Sequence, residues 1–416
     1  MISDGRQRGS AMKTFREKRF FPFVCITAAV CIIAVLIMFN YYRSIHVPKE
    51  HMRIGMICDG DPGTPYTENF YRALKAVQEE YKGKVTVDIR SNVSVDEAEK
   101  LIRELVSKKT DLIITNSFGY GEIAKKMAGE YPDVEFIQAT QVNANEEPFY
   151  DNYHTFMGRI YEGRYIAGQV AGRKMQEMID TGVISEDEAI AGYVAAYPYA
   201  EVISGYTAFF LGMRDQCPSA VMKVKYSNTW TSYQDEYDLA KELIKEGAVI
   251  ISQHSDTTGP AVACEEYSAA SGSKVYSVGY NKNMIDVAPT TSLISTKINW
   301  TPYLKAAVGA MLDGEKIESA VDARIHGNDA GAGFDKDWVR MLSLNDAVAA
   351  KGTQQMIEKS IALFKKGDIH VFSGNYRGSD PNDPSDTIDL SKTEYIENKD
   401  SSAPTFHYVI DGITIE

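Results

Sequence analysis

The sequence predicts an α/β protein of two doubly wound lobes, preceded by one N-terminal transmembrane helix. Three observations predict it. Short apolar runs alternate with stretches whose apolar residues recur at helical spacing. That rhythm occurs twice, with no long linker between the halves. A twenty-residue segment without a charged side chain stands ahead of both. The 416 residues, 44% hydrophobic and 24% charged, suffice to bury two cores.

The apolar segment, FFPFVCITAAVCIIAVLIMF over 20–39, would be about 30 Å long as a helix, enough to cross a bilayer once. Arg6, Arg8, Lys13, Arg16, Lys18 and Arg19 precede it, which keeps the N-terminus in the cytoplasm. Residues 38–42 offer no small-residue cleavage site, so an uncleaved anchor is expected instead of a signal peptide. The expected plan is a basic cytoplasmic tail over 1–19, an anchor over 20–40, a tether over 41–52 and a body outside the cell membrane. The formal charge of the chain is −13; the tail carries six basic and two acidic residues, so the remainder carries −17. Such an acidic body excludes nucleic acid as a partner. Five cysteines without a CxxC motif do not make a disulfide scaffold.

In the first half, strands are expected over 53–59, 85–91, 111–116 and 135–139, with helices over 68–81, 95–108 and 121–130 between them. Ala98, Leu101, Ile102 and Leu105, for example, fall on one helical face. A helix over 161–180 leads into the second half. There, strands over 190–195, 222–227, 249–252 and 274–278 alternate with helices over 201–214, 234–246 and 259–270. Two such lobes leave a cleft, and clefts between α/β lobes hold small molecules.

In open α/β sheets a ligand sits beyond the carboxyl ends of the strands. The stretch 247–280 is central for this reason: a short apolar run stops at the polar tip Ser252-Gln253-His254-Ser255-Asp256. Other loops of the same kind hold Asp59 to Asn69, Thr115 to Gly121 and Tyr226 to Trp230. Aromatic residues recur there beside amides and carboxylates, a set suited to a flat heterocycle that stacks on rings and is read at its edge. Catalytic signatures are missing: there is no GxSxG, no complete dinucleotide fingerprint and no GxxxxGK phosphate loop. His254 and Asp256 sit too close on an extended segment to face one another. Pro62-Gly63 breaks any calcium loop begun by Asp59 and Asp61. No catalytic residue, metal or cofactor is expected.

The runs IAGYVAAYPYAEVISGYTAFFLGMR over 190–214, SNTWTSYQDE from Ser227, IISQHSD from Ile250, SVGYNKNM from Ser277 and NWTPYL from Asn299 are collinear with a known pattern. Together with MGRIYEGRYIAGQVAG over 157–172 and FKKGDIHVFSGNYRG over 364–378, they resemble the basic membrane protein (BMP) family. These are substrate-binding proteins of ABC importers, with purine nucleoside receptors as the best-known type. The resemblance covers roughly 53–378. It implies a type I periplasmic-binding-protein fold of two Rossmann-like lobes, the first over 53–157 and 298–325, the second over 158–297 and 326–378, bending near Gly158 and Lys297. The lobes would close on a purine nucleoside or purine base, release it unaltered to an ABC permease with its ATPase, and do no chemistry.

By position the resemblance places Tyr66 and Trp230 as stacking rings, Asn116 and Asp256 at the ligand's edge, and Lys297 beyond the last strand. Thr67, His254 and Asn281 complete the expected ligand-binding set. Two departures stand out. Thr64-Pro65-Tyr66-Thr67 replaces an acidic motif with Ser-Phe-Asn, and Gly279-Tyr280-Asn281 replaces Gly-Val-Asp. The missing aspartate would hold ribose hydroxyls with charge-assisted bonds, roughly twice as strong as neutral ones, so a free base competes with a nucleoside. Family members are commonly lipoproteins, whereas Cys25 and Cys31 each follow a valine; the anchor helix is expected to do the lipid's work. Residues 379–416 read as a surface segment that adds an edge strand. A membrane-anchored sensory receptor using the same cleft is the alternative, and an enzyme acting on nucleosides a more distant one.

Overall fold

The computed structural model describes residues 29–38 and 48–416. Most of the expected anchor and the whole basic tail therefore lie outside the described residues. Residues 29–38 are helical, and among the described residues no helix is long and apolar enough to cross a membrane.

The first lobe begins with β1 (Met52–Ile57), α1 (Pro65–Glu80), β2 (Val85–Arg90), α2 (Val95–Ser107), β3 (Leu112–Thr115), α3 (Gly121–Glu130), β4 (Glu135–Ala139) and β5 (Tyr153–Gly158). Local chemistry explains where the helices start. Pro65 opens α1, where a missing N–H costs nothing. Ser94 and Glu97 form a capping box at the head of α2, with Ser94 Oγ donating to the Glu97 carboxylate at 2.8 Å. The strands read as continuous apolar runs because helices cover both faces of the sheet; β3 is buried throughout.

The second lobe continues with α4 (Ile160–Asp180), β6 (Ile190–Ala195), α5 (Ala200–Gln216), β7 (Val221–Tyr226), α6 (Tyr233–Lys245), β8 (Ile250–His254), α7 (Gly259–Ser271), β9 (Tyr276–Tyr280) and β10 (Ser292–Ile298). Helices α4 and α5 pack backbone against backbone: a Cβ at Gly168 would lie 1.9 Å from Phe209 O, and one at Gly212 would lie 2.0 Å from Tyr165 O. The chain then returns through α8 (Thr301–Asp313), α9 (Ile317–Ala320), β11 (Arg324–His326), β12 (Asp329–Ala332), β13 (Val339–Met341) and α10 (Thr353–Lys366). It ends in β14 (Arg377–Ser379), β15 (Thr387–Asp389), β16 (Val409–Ile410) and β17 (Ile413–Ile415).

The two large sheets have the orders β11-β12-β5-β4-β3-β1-β2 and β13-β10-β9-β8-β6-β7-β17. Strand order reverses at β1 in one and at β6 in the other, so the loops leaving β1 and β3, and those leaving β6 and β8, diverge and open a crevice. The two crevices face each other.

Three crossovers join the lobes, at 158–160, 298–301 and 332–339. They are packed together: a Cβ at Gly158 would lie 2.8 Å from Ile298 Cγ2 and 3.1 Å from Trp338 O. Each brings aromatic residues to a common core, with Phe156 stacked on Tyr303 at 3.9 Å and edge-on to Trp300 at 5.1 Å, and Tyr303 edge-on to Trp338 at 5.4 Å.

Three expectations need correction. The first lobe does not stop at residue 325, because β12 pairs in parallel with β5 and extends the first sheet; the second lobe resumes only after Ala332. The polar tip at Ser252 does not end its strand, since β8 runs on through His254. Two of its side chains are satisfied inside, Ser252 Oγ donating to Val278 O at 3.2 Å and Gln253 Nε2 to Thr257 O at 2.8 Å. Residues 379–416 do add an edge strand, β17 beside β7, but they are more than a surface segment. Ser402 and Phe406 are fully buried; Ser402 N donates to Asp329 of the first lobe at 2.6 Å, and Glu397 accepts from Ser204 Oγ of the second at 2.9 Å.

Candidate functional site

The facing crevices enclose a cavity lined from both lobes: Asp59, Tyr66, Asn116, Ser117, Phe118 and Thr140 on one side, and Glu201, Trp230, His254, Ser255, Asp256 and Tyr280 on the other. About 30 Å³ is open to the centres of water molecules, room for about two waters. A flat ring enters only when the lobes part.

Each wall residue is set by its element. Tyr66 stands in the first turn of α1, edge-on to Phe70 at 5.3 Å and to Trp300 at 6.0 Å, and its hydroxyl donates to Asn116 O at 2.6 Å. Asn116 follows β3; its Oδ1 accepts from Asp59 N at 3.3 Å, while its buried Nδ2 has no protein partner. Trp230 follows β7, edge-on to Tyr197 at 5.3 Å, and its carbonyl accepts from Asp256 N at 2.9 Å. The loop carrying Asp256 is tied down by the buried carboxylate of Glu236, which accepts from Ser255 Oγ at 2.8 Å and from Thr257 Oγ1 at 2.6 Å. Ser255 Oγ is thereby held within the loop. His254 ends β8, edge-on to Tyr280 at 5.0 Å, with Nε2 3.6 Å from the Glu201 carboxylate. Behind Tyr280, the guanidinium of Arg164 lies 3.7 Å from the ring centroid.

Five of the eight residues singled out from sequence thus line the one cavity, Tyr66 and Asn116 from the first lobe and Trp230, His254 and Asp256 from the second. Thr67, Asn281 and Lys297 do not line the cavity. Thr67 is buried against the loop at Gly60. Asn281 steadies Asp256, donating from Nδ2 to Oδ1 at 3.3 Å. Its carbonyl accepts from Asn69 Nδ2 at 3.0 Å, and Lys297 Nζ donates to Asn69 Oδ1 at 3.2 Å. Asn69 belongs to the first lobe and the other two to the second, so these bonds form a seam that exists only while the lobes are closed. Glu68 and Lys282, 3.6 Å apart, extend it.

Of the wall residues outside the expected set, Asp59, Ser117, Phe118, Ser255 and Tyr280 lie on the strand-end stretches that the sequence marks, whereas Glu201 and Thr140 lie on none of them. Glu201 lies one residue into a helix, where an acidic side chain ordinarily serves the helix dipole. Thr140 has left-handed backbone at φ 64°, rare for a β-branched residue, and nothing in its neighbours announces this.

Burial governs the charges. It raises Asp256 well above the usual carboxylate range, helped by the nearby Asp59 carboxylate. Glu201 is pushed up to about 7 by burial, with Arg164 opposing. His254 is held well below the ordinary imidazole value by burial and by Arg164, so it is neutral. Among the described residues no lysine or arginine lines the cavity. The wall therefore offers carboxyl groups, one free amide donor and aromatic faces. A phosphate would meet three carboxyl groups and no cation, which disfavours it strongly; ring nitrogens, amino groups and hydroxyls would find partners.

A family model described as ABC transporter substrate-binding protein, PnrA-like, matches residues 52–367. The chain is 29% identical over 351 residues to a purine-binding protein of Brucella abortus, covering 84% of this chain and 91% of that one. It is 31% identical over 297 residues to a protein of Haloferax volcanii provisionally named as an ABC transporter glucose-binding protein, covering 71% and 69%. A solute-binding protein of an ABC transporter system from Aeropyrum pernix superposes with a TM-score of 0.63 at 15% identity, covering 76% of this chain and 92% of that one. That likeness shows the same two-lobed fold.

Proposed function

Since the chain belongs to the Bmp family of PnrA-like ABC transporter substrate-binding proteins, we propose that it captures a purine base or purine nucleoside and delivers it to an ABC permease and its ATPase. The family is one of binding proteins and not of enzymes; its members take up a small molecule and work with a permease. The observation that carries the purine reading is a cavity with aromatic residues on both lobes, Tyr66 and Phe118 facing Trp230 and Tyr280. Between such walls a flat ring stacks on two faces. Asn116 Nδ2 is free to donate to a ring nitrogen, and Asp59, Glu201 and Asp256 are placed to accept from amino, N–H or hydroxyl groups. The name of the Brucella relative points the same way.

The working cycle is capture and release. The ligand settles against one lobe, the crossovers bend, and the second lobe closes to form the seam at Asn69. The apolar segment 20–39 holds the body at the outer face of the cell membrane by a single pass, with the N-terminus cytoplasmic, and so keeps the binder at high effective concentration near its permease.

Mass spectrometry of what leaves the purified full chain on denaturation tests the ligand class; a purine is expected, and a carbohydrate would overturn the reading in favour of the Haloferax name. Trp230→Ala should then weaken binding of that purine by about 1–3 kcal/mol, the range measured for base stacking on aromatic side chains. Calorimetry showing no loss would remove Trp230 from the site.

A further inference from the structure

The cavity has a second closure besides the polar seam at Asn69. Phe118, in the turn after β3 of the first lobe, stacks on Tyr199, the residue before α5 in the second, with ring centroids 5.5 Å apart and planes at 28°. Tyr199 in turn stacks on Tyr197 at 5.1 Å and 17°, and Tyr197 meets the edge of Trp230. A row of aromatic rings thus runs from the first lobe, across the gap between lobes, to the wall residue Trp230.

Core packing does not explain this pair. Each ring is 43% exposed, and loops at strand ends ordinarily present polar residues to water. Their supports are nonetheless firm. Gln141 Nε2 donates to Phe118 O at 3.1 Å, and the neighbouring Tyr120 hydroxyl donates to Val93 O at 2.6 Å. Phe118 also lines the cavity, whereas Tyr199 does not. Tyr199 therefore lies on the solvent side of Phe118, where the two lobes meet. With so little room inside the closed lobes, a ligand enters or leaves as the lobes part, and both this stack and the polar seam hold them together. The seam is wired to the crossovers through Lys297 on β10. The aromatic pair stands on two strand-end loops with no such tie.

We propose that Phe118 and Tyr199 form an aromatic gate at the mouth of the cavity, which sets how long a ligand is retained, and that Phe118 also contacts the bound ligand. The proposal rests on the reading of this cavity as the ligand site. Stacked aromatic pairs are worth roughly a factor of 2 to 13 in an equilibrium beyond the area they bury. Since the stack is made after encounter, that factor falls on release and not on capture.

The test uses the full chain in detergent, with adenosine as the probe. Stopped-flow tryptophan fluorescence should show Phe118→Ala and Tyr199→Ala each raising the dissociation rate by about 3- to 10-fold, with the association rate changed less than about twofold. The double variant should be no faster than Phe118→Ala alone, because Tyr199→Ala removes only the stack that Phe118→Ala has already removed, and Phe118→Tyr should restore slow release. Dissociation unchanged in either alanine variant, or additive effects in the double one, would overturn the gate. In the chain as purified with its own ligand bound, hydrogen exchange supplies an arm that does not depend on knowing the ligand. Phe118→Ala should speed exchange at residues 197–200 on the opposite lobe, and unchanged exchange there would also overturn it. If adenosine fails to bind the wild type, the nucleoside reading fails for this probe while the exchange arm still decides the gate.

Discussion

Removing Asn69 tests whether closure, and not only the cavity wall, supplies affinity. Its side chain is buried and makes two bonds to the opposite lobe: Nδ2 donates to Asn281 O at 3.0 Å, and Oδ1 accepts from Lys297 Nζ at 3.2 Å. With the lobes apart, water replaces both partners, so only net values count: about 0.5–1.5 kcal/mol for the neutral bond and about 1.5–3 kcal/mol for the bond to the ammonium. Asn69→Ala should therefore weaken the closed form by about 2–4.5 kcal/mol, or roughly 30- to 1,600-fold. Because the ligand is held by the closed form, the same factor appears as lost affinity. Lys297→Met, which removes one bond, should fall between the variant and the wild type. Isothermal titration with the native ligand measures both, and circular dichroism checks that the fold is kept. A dissociation constant for Asn69→Ala within about threefold of wild type would refute the reasoning, since at least one bond would then contribute nothing net.

Two further predictions concern parts remote from the cavity. His154 of β5 lies between two carboxylates, its Nε2 2.8 Å from Glu135 and its Nδ1 bonded to Glu318 of α9. Burial opposes its imidazolium, but hydrogen bonds to Glu135 and Glu318 outweigh burial and lift it from 6.5 to about 10. A folded-state value above the unfolded one gives a contribution that is complete below the unfolded value and disappears as pH rises through the folded one. Unfolding free energy should accordingly fall by about 1.4 kcal/mol per pH unit from this group between pH ~7 and ~9, and His154→Gln should remove that slope; denaturant titrations giving equal slopes for both proteins would mean the imidazole is neutral. For the anchor, deletion of residues 1–40 should leave ligand affinity unchanged and abolish uptake by cells, whereas full uptake with the truncated chain would show that tethering is dispensable. Unchanged affinity with a lost signalling response, and no uptake in either form, would favour the sensory alternative.

Much of the fold was legible because periodicity is a direct record of burial. The helix at Gly121–Glu130 and the strands at Glu135–Ala139 and Ile190–Ala195 fall where apolar spacing puts them. Strand β5 left no such record: buried at every position, Tyr153–Gly158 has no alternation, and His154 and Thr155 hide its apolar character by carrying polar groups that are satisfied internally. The same effect hid the end of β8, where Ser252 to His254 look like a loop and are core. In the site, Tyr66, Asn116, Trp230, His254 and Asp256 were accessible to reasoning because position after a strand's carboxyl end is a topological fact. Asn281 satisfies that rule as well, whereas Lys297, expected beyond the last strand, lies inside β10; both face Asn69. Which strand-end groups meet the ligand and which meet the other lobe depends on the closing angle, and that angle depends on how Gly158 packs against Ile298 and Trp338, each more than a hundred residues from it.

The first turns of α1 show why ligand and hinge can act together. Tyr66, Asn69 and Phe70 stand at i, i+3 and i+4, so they project from neighbouring positions on one helical surface. Tyr66 meets the cavity, Asn69 meets the second lobe, and Phe70 stacks on Trp300 of the second crossover at 4.5 Å and 22°. Tyr66 also touches Trp300 with its edge. A helix is stiff over one turn, so these three side chains cannot be repositioned separately. Whatever a bound ring does to the tilt of Tyr66 is felt at the seam and at the crossover together. The wall, the latch and the bend are thereby parts of one rigid turn of helix, and a ligand that fits the wall favours the closed lobes through the differential contact it makes there.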